Sequence, residues 1–216
     1  MEYKTNINLR KEKLTKLLNT VIVYENEIIQ ALYDDFKKPA FEAVLTETSY
    51  VISELKDTIK NLNSWAKPKR VLPSILNFPS TDYIYKEPYG KVLVIAPWNY
   101  PFQLALCPLI SAVAAGNQVV VKPSELTPKT SEIIAKIIGM VFNKNHVEVI
   151  EGGIEVSQQL LAQRWDYIFF TGSVAVGKIV AKAAAEKVAK LIITKIKNGE
   201  MPPSVTPEEL KKLNVL

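Results

Sequence analysis

Apolar residues recur at helical spacing through most of the first 65 positions. Leu14, Leu17, Leu18, Val21 and Ile22 share one face, and Ile28, Ile29, Leu32 and Tyr33 continue the pattern. Lys38-Pro39 interrupts it, because proline lacks an N–H and disfavours the helical region for the residue before it. From Phe41 to Trp65 the period resumes through Val44, Leu45, Val51, Ile52, Leu55, Ile59 and Leu62. The opposite faces carry Glu, Lys, Asn and Ser, the signature of amphipathic helices lying on a globular body. Residues 67–80 contain three prolines and no period, which predicts an ordered loop or linker. Thr81 to Lys86 alternates, with Asp82, Ile84 and Lys86 against Tyr83 and Tyr85, and reads as a half-exposed strand. Pro88-Tyr89-Gly90 would turn that strand into the next one as a β-hairpin. Such an outlying strand would also offer an edge for a partner subunit.

Beyond residue 91 the period shortens. Val92-Leu93-Val94-Ile95-Ala96 stops at Pro97, and Val119-Val120-Val121 stops at Lys122-Pro123. Between them lies an apolar stretch from Phe102 to Ala115, closed by Gly116-Asn117. Buried strands flanking a buried helix make a β-α-β unit, whose strands are parallel and whose crossover is right-handed. Thr127-Pro128 places an N-cap and a first-position proline before a helix running to about Phe142. His146 to Ile150 reads as a third strand, Val156 to Leu161 as a short helix, and Asp166 to Phe170 as a fourth strand. Four strands each followed by a helix predict a doubly wound, Rossmann-like α/β fold behind N-terminal helices. The expected organisation is a helical segment at 1–66, a linker and β-hairpin at 67–96, the Rossmann-like domain at 91–187 and a tail at 188–216.

Composition narrows the setting. The chain has 216 residues, a formal net charge of +5 and one cysteine. Its basic residues are interleaved with acids rather than massed with aromatics, so no nucleic-acid partner is expected. No apolar run approaches the roughly 20 residues of a membrane span. The polar N-terminus lacks the apolar core of a secretory signal. A single cysteine permits no internal disulfide and fits a reducing compartment, so a cytoplasmic location is expected. No metal site is expected.

In such sheets ligands lie beyond the carboxyl ends of the strands. Gly172-Ser173-x-x-x-Gly177 follows the fourth strand and opens a helix, where free N–H groups and the helix dipole favour a phosphate. It is not the G-x-G-x-x-G fingerprint, so a purely structural glycine turn remains an equal reading. Lys122 and Glu125 follow the second strand and could grip ribose hydroxyls, or form an ordinary surface pair. Cys107 sits within the apolar run and reads as a small buried hydrophobe. His146, the sole histidine, reads as a surface residue.

Pro97-Trp98-Asn99-Tyr100-Pro101, Ala114-Ala115-Gly116-Asn117, Lys122-Pro123-Ser124-Glu125 and Phe170-Thr171-Gly172-Ser173 occur in that order. Their order and spacing resemble the aldehyde dehydrogenases, closest to the class 3 branch acting on fatty and aromatic aldehydes. The resemblance begins near Ala31-Leu32-Tyr33-Asp34-Asp35, includes Lys86-Glu87-Pro88-Tyr89-Gly90, and covers roughly residues 10–187. It implies a nicotinamide cofactor, NAD or NADP, and an aldehyde substrate. It also implies that Asn99 donates its amide to the developing oxyanion, and that Lys122 and Glu125 hold the adenosine ribose. Gly172, Ser173, Val174, Ala175, Val176 and Gly177 would form the turn under the pyrophosphate. Trp98 and Tyr100 would stand near the nicotinamide and the substrate.

The resemblance fades near residue 187. The family continues into a strand ending Glu-Leu-Gly-Gly-Lys, whose Glu is the general base, and a catalytic cysteine follows. Ungapped counting from Gly172 puts that Glu on Thr194 and the glycines on Ile196 and Lys197. The expectation is therefore a cofactor domain without its catalytic domain, of fragment, frameshift or fusion origin and inactive alone. A non-catalytic NAD-binding or assembly module is the alternative. Homo-oligomers are possible, although the family's C-terminal oligomerisation segment is not expected here. Leu191-Ile192-Ile193 could extend the last helix or begin a strand. Asn198-Gly199 reads as a stop and Thr206-Pro207-Glu208-Glu209 as a helix start.

Overall fold

The computed structural model describes residues 6–77 and 79–197. Helix α1 (Ile7–Val23) is capped by Asn6, whose side-chain oxygen accepts the Leu9 N–H at 3.1 Å. Helix α2 (Glu25–Phe36) ends where Lys37 turns left-handed at φ 58°. After Pro39, α3 (Ala40–Ala43) passes through a π turn (Val44–Thr48) into α4 (Ser49–Trp65). That widened turn places Glu47 and Thr48 inside the molecule, both 0% exposed.

Strands β1 (Lys69–Val71) and β2 (Asp82–Ile84) pair antiparallel, Lys69 opposite Ile84. This corrects the expected hairpin in two ways. The linker contributes a strand of its own, and β2 pairs with it rather than with the strand that follows. The reason is occupancy: β3 (Lys91–Ile95) is bonded on both edges, by β4 (Gln118–Lys122) and by β6 (Tyr167–Phe170). The parallel sheet has the order β5-β4-β3-β6, with β5 spanning Val147–Val149.

The chain thus winds outward from β3 to β5 and then returns to add β6 on the other side of β3. Helices α5 (Pro101–Ala114) and α6 (Pro128–Val141) make the outward crossovers, α7 (Ile154–Ala162) makes the return, and α8 (Val174–Lys197) follows β6. Strand alternation divides the core accordingly. Val92, Val94, Val119 and Val121 join one large cluster with α1, α4, α5 and α6. Leu93, Ile95 and Val120 join a smaller one with Leu160 of α7 and Val180 of α8.

Thr127 does stand at the N-terminus of α6 with Pro128 first in the helix, but its side chain does not cap the helix. The carboxylate of Asp35 does so from 94 residues upstream. It accepts the N–H groups of Lys129 (3.0 Å) and Thr130 (2.8 Å). Residues 191–193 continue α8 rather than starting a strand, so Thr194 and Ile196 are helical. The expected stop at Asn198-Gly199 and the helix start at Thr206 lie outside the described residues.

His146 is also corrected. It is only 8% exposed and meets the Phe142 ring edge-on at 5.4 Å. Burial, helped by the charge of Lys13 and opposed by a hydrogen bond with the Asn117 backbone, pushes its pKa down to about 4. Cys107 is partly buried against the large cluster, and burial, with the charge of Glu54, pushes its thiol up to about 12.

Candidate functional site at the strand carboxyl ends

Three strand ends meet where the winding reverses. The Ala96 N–H donates to the Lys122 carbonyl at 3.0 Å, and the Thr171 N–H donates to the Ile95 carbonyl at 3.2 Å. The segments after β3, β4 and β6 are therefore neighbours, which is the crevice an open α/β sheet offers to ligands.

The first segment, Pro97 to Pro101, leaves β3 with Pro97 buried and Trp98, Asn99 and Tyr100 exposed. Tyr100 is left-handed, φ 49°, an uncommon conformation for a bulky residue that surrounding contacts must hold. They come from the helical segment. The Lys38 ammonium donates to Glu47 at 2.6 Å and lies 4.5 Å from the centre of the Tyr100 ring. The second Glu47 oxygen accepts the Gln103 N–H at 2.9 Å, in the first turn of α5. Burial raises the Glu47 pKa, against the lowering effect of Lys38 and of the Gln103 and Phe102 N–H groups. The loop bearing Asn99 is thus clamped between an ion pair and a helix start.

Sequence reading missed Lys38 and Glu47. A signal was present: Glu47 falls at helical spacing between Val44 and Val51, on the buried stripe, where an acid needs a partner.

In the second segment, Lys122 is 3% exposed and its ammonium donates to Glu125 at 2.5 Å. Burial favours the neutral Glu125 carboxyl, but the Lys122 hydrogen bond, a backbone N–H and the ammonium charge outweigh it. The net pKa lies below the ordinary carboxylate value. The Glu125 side chain remains 41% exposed, so the pair presents a fixed carboxylate to the solvent side. Ser124 is buried, its carbonyl accepting the Ser131 hydroxyl at 2.9 Å, which fixes this turn onto α6.

In the third segment, a Cβ on Gly172 would lie 2.6 Å from the Phe170 ring, so any side chain there would force the ring or the turn to shift. Ser173 caps α8, its hydroxyl oxygen accepting the Val176 N–H at 3.3 Å. Gly177 N–H continues the helical bonding to the Ser173 carbonyl at 2.9 Å. Val174 and Val176 are 78% and 45% exposed, so the first turn of this 24-residue helix faces outward. Trp98, Asn99 and Tyr100, Lys122 and Glu125, and Gly172 through Gly177 lie on or just after the three adjacent strand ends.

A doubly wound α/β unit with its polar residues gathered at the switch point is the architecture of a Rossmann-like ligand-binding domain. A model of the aldehyde dehydrogenase family matches residues 3–194, and the chain belongs to that family. The 4,4'-diaponeurosporen-aldehyde dehydrogenase of Staphylococcus aureus is 46% identical over 203 residues, 94% of this chain and 44% of that protein. Aldehyde dehydrogenase family 3 member H1 of Arabidopsis thaliana is 39% identical over 184 residues, covering 85% of this chain and 38% of that one. The substrate-bound state of Staphylococcus aureus AldH superimposes with a TM-score of 0.83 at 49% identity, over 85% of this chain and 40% of that one. Glyceraldehyde-3-phosphate dehydrogenase GapN from Methanocaldococcus jannaschii, complexed with NADP, gives 0.73 at 25% identity, over 84% and 40%. The chain spans less than half the length of each of these relatives.

Proposed function

We propose that this chain is the nicotinamide-dinucleotide-binding portion of an aldehyde dehydrogenase, binding NAD or NADP without oxidising aldehydes by itself. The preformed Lys122–Glu125 pair, beside the Gly172 turn at the switch point, carries this reading. The residues fit the cofactor. Gly172 leaves the backbone bare where a side chain would collide with Phe170, and the exposed start of α8 would turn its dipole and first N–H groups to a pyrophosphate. Lys122 and Glu125 would hold the adenosine ribose, donor and acceptor together, with Trp98 flanking the nicotinamide end.

When bound, the cofactor supplies a hydride acceptor. Asn99 would contribute an amide donor to a carbonyl oxygen as negative charge develops there, held in place by the Lys38–Glu47 clamp. The reaction further needs a thiolate nucleophile and a base. Cys107 suits neither role, standing on α5 partly buried against the large cluster with its thiol pushed up to about 12. Thr194 occupies the position the resemblance assigns to the base. A reducing, cytoplasmic setting accords with the single cysteine.

Calorimetric titration with NAD and NADP tests the binding half. Saturable binding is expected, weakened about tenfold or more in Lys122→Ala, the scale of losing a charge-assisted contact. A flat titration with both cofactors overturns the reading. An assay with a medium-chain or aromatic aldehyde and NAD tests the other half, and turnover at rates ordinary for enzymes of this kind, about 1 per second or more, would remove the claim that the chain is inactive alone.

A second reading, an assembly module that joins a longer relative, is favoured by exposed apolar residues around β2. Tyr83, Ile84 and Tyr85 are 49–67% exposed. Mixing with a full-length relative and measuring particle mass decides it: an added 24.2 kDa supports assembly and an unchanged mass excludes it.

A further inference from the structure

A cavity of small-molecule size lies away from the strand carboxyl ends. Helix α5 starts at those ends and leads to the amino end of β4, so its last residues, Ala114 and Ala115, mark the far side of the sheet. There a cavity of about 540 Å³ opens between α1, α4, the end of α5 and the segment before β3. Its size is in the range of small-molecule sites. Its apolar walls include Ile7, Leu62, Trp65 and Ala114.

Arg10 also lines it, and Arg10 is unusual. The side chain is 8% exposed, yet no acid lies within ion-pairing distance of it among the described residues. One guanidinium nitrogen donates to the Ala114 carbonyl at 2.7 Å, at the negative end of the α5 dipole. Its Nε is buried with no hydrogen-bond partner among the described residues. Buried cations are normally paired, and a guanidinium's fork geometry matches a carboxylate best. The other cation on the wall, Lys86, already donates to the Trp65 carbonyl at 2.9 Å. Two acids, Glu54 and Glu87, line the same cavity and would repel a second negative charge on a ligand.

We propose that this cavity is a binding site for a monocarboxylate with a short aliphatic or aromatic body, its carboxylate on Arg10 and its body against Ile7, Leu62, Trp65 and Ala114. The site is separate from the cofactor crevice and does not depend on it. Its chemistry selects on three features: one negative charge, planar and terminal; an apolar remainder; and no second charge at the far end.

Sodium octanoate is the probe, titrated calorimetrically into the whole chain at neutral pH. One saturable site is expected, with 1-octanol and octanedioate each about tenfold weaker or worse, the scale of one charge-assisted pair gained or one repulsion added. Arg10→Gln is expected to lower octanoate affinity by about tenfold or more. That substitution also removes a buried bond to Ala114, so a second variant guards against misfolding. Ser111 is exposed on α5 and lines the cavity, and Ser111→Trp fills the cavity from its surface side. It is expected to abolish binding while leaving the urea midpoint near that of the unaltered chain. No octanoate binding, equal binding of octanoate and octanol, or undiminished binding in Ser111→Trp overturns the proposal.

Discussion

The two faces of the parallel sheet are covered to very different depths. On one, Val92, Val94, Val119 and Val121 are at most 3% exposed, beneath α5 and α6 with α1 and α4 packed behind. On the other, Leu93, Ile95 and Val120 are nearly as well buried, but among the described residues only α7 and α8 cover them. Around that thinner layer Ile179 and Val176 are 61% and 45% exposed. Burial of the strands is similar, yet the supporting shell is not. Local opening costs least where few apolar contacts must be broken, so the α7–α8 layer is expected to be the less stable unit. The crevice straddles the two. Asn99, Lys122 and Glu125 stand on segments anchored in the deep face, and the Gly172 turn stands on the thin one.

Truncating one large side chain on each face tests this most strongly. Phe102 is 0% exposed in the deep cluster, and Phe102→Ala is expected to cost about 3–5 kcal/mol. Leu160 is 2% exposed in the thin cluster, where neighbours can collapse, and Leu160→Ala is expected near the lower bound of about 2 kcal/mol. Urea unfolding measures both, and equal losses would erase the distinction between the faces. Next in size is Glu47→Gln, which leaves Lys38 buried without its counter-charge. A loss of about 3 kcal/mol is expected. Since Glu47 also holds the start of α5 beneath Asn99, the same variant is expected to alter Trp98 fluorescence on NAD binding. A stability loss with an unaltered signal would reduce Glu47 to a packing role.

Much of the deep face was legible in the sequence. Its helices announce themselves by period, and the β-branched runs at 92–95 and 119–121 can only be buried strands. The doubly wound order followed from strands alternating with helices. What escaped depends on partners distant in sequence. Period two identified β2 but could not say which strand it pairs with, because that depended on β3 having both edges occupied. Thr127 looked like a cap, while Asp35 supplied the actual bonds across 94 positions. The histidine's burial was invisible because one polar residue at a strand start has no periodic context. In the crevice, residue types and order marked Lys122, Glu125 and Gly172, whereas the clamp on Tyr100 depends on which distant residues meet the acid Glu47 on its buried stripe.

His146 gives the deep face a pH signature. Its folded pKa of about 4 lies below the ordinary 6.5, so between these values the unfolded chain binds a proton that the folded chain refuses. Stability from this group is complete above pH 6.5 and is lost as pH falls toward 4. The loss is expected to be on the order of 2 kcal/mol, read as a falling urea midpoint between pH 7 and 4.5. His146→Phe is expected to flatten that slope. An unchanged slope in the variant would assign acid sensitivity to carboxylates instead.

At Gly172 a small effect on stability is expected beside a large effect on binding. In Gly172→Ala the new methyl would meet the Phe170 ring at 2.6 Å, closer than carbon atoms tolerate, so the ring or the turn must shift. Phe170 packs against the thin cluster, where a ring can move without disturbing a second layer, so the cost is expected near about 1 kcal/mol. The turn's path over the start of α8 would change with it, and NAD affinity is expected to fall about tenfold. Gly177 is the control on the same ring. A Cβ there comes no closer than 3.4 Å to Phe170, within reach of a small adjustment, and lies inside a helix where alanine is the better residue. Gly177→Ala is therefore expected to hold or slightly raise stability and to leave NAD binding nearly intact. If both variants lose affinity equally, backbone approach along the whole helix start matters. If only Gly172→Ala does, the bare backbone at one residue of the thin face sets how closely the ligand can lie.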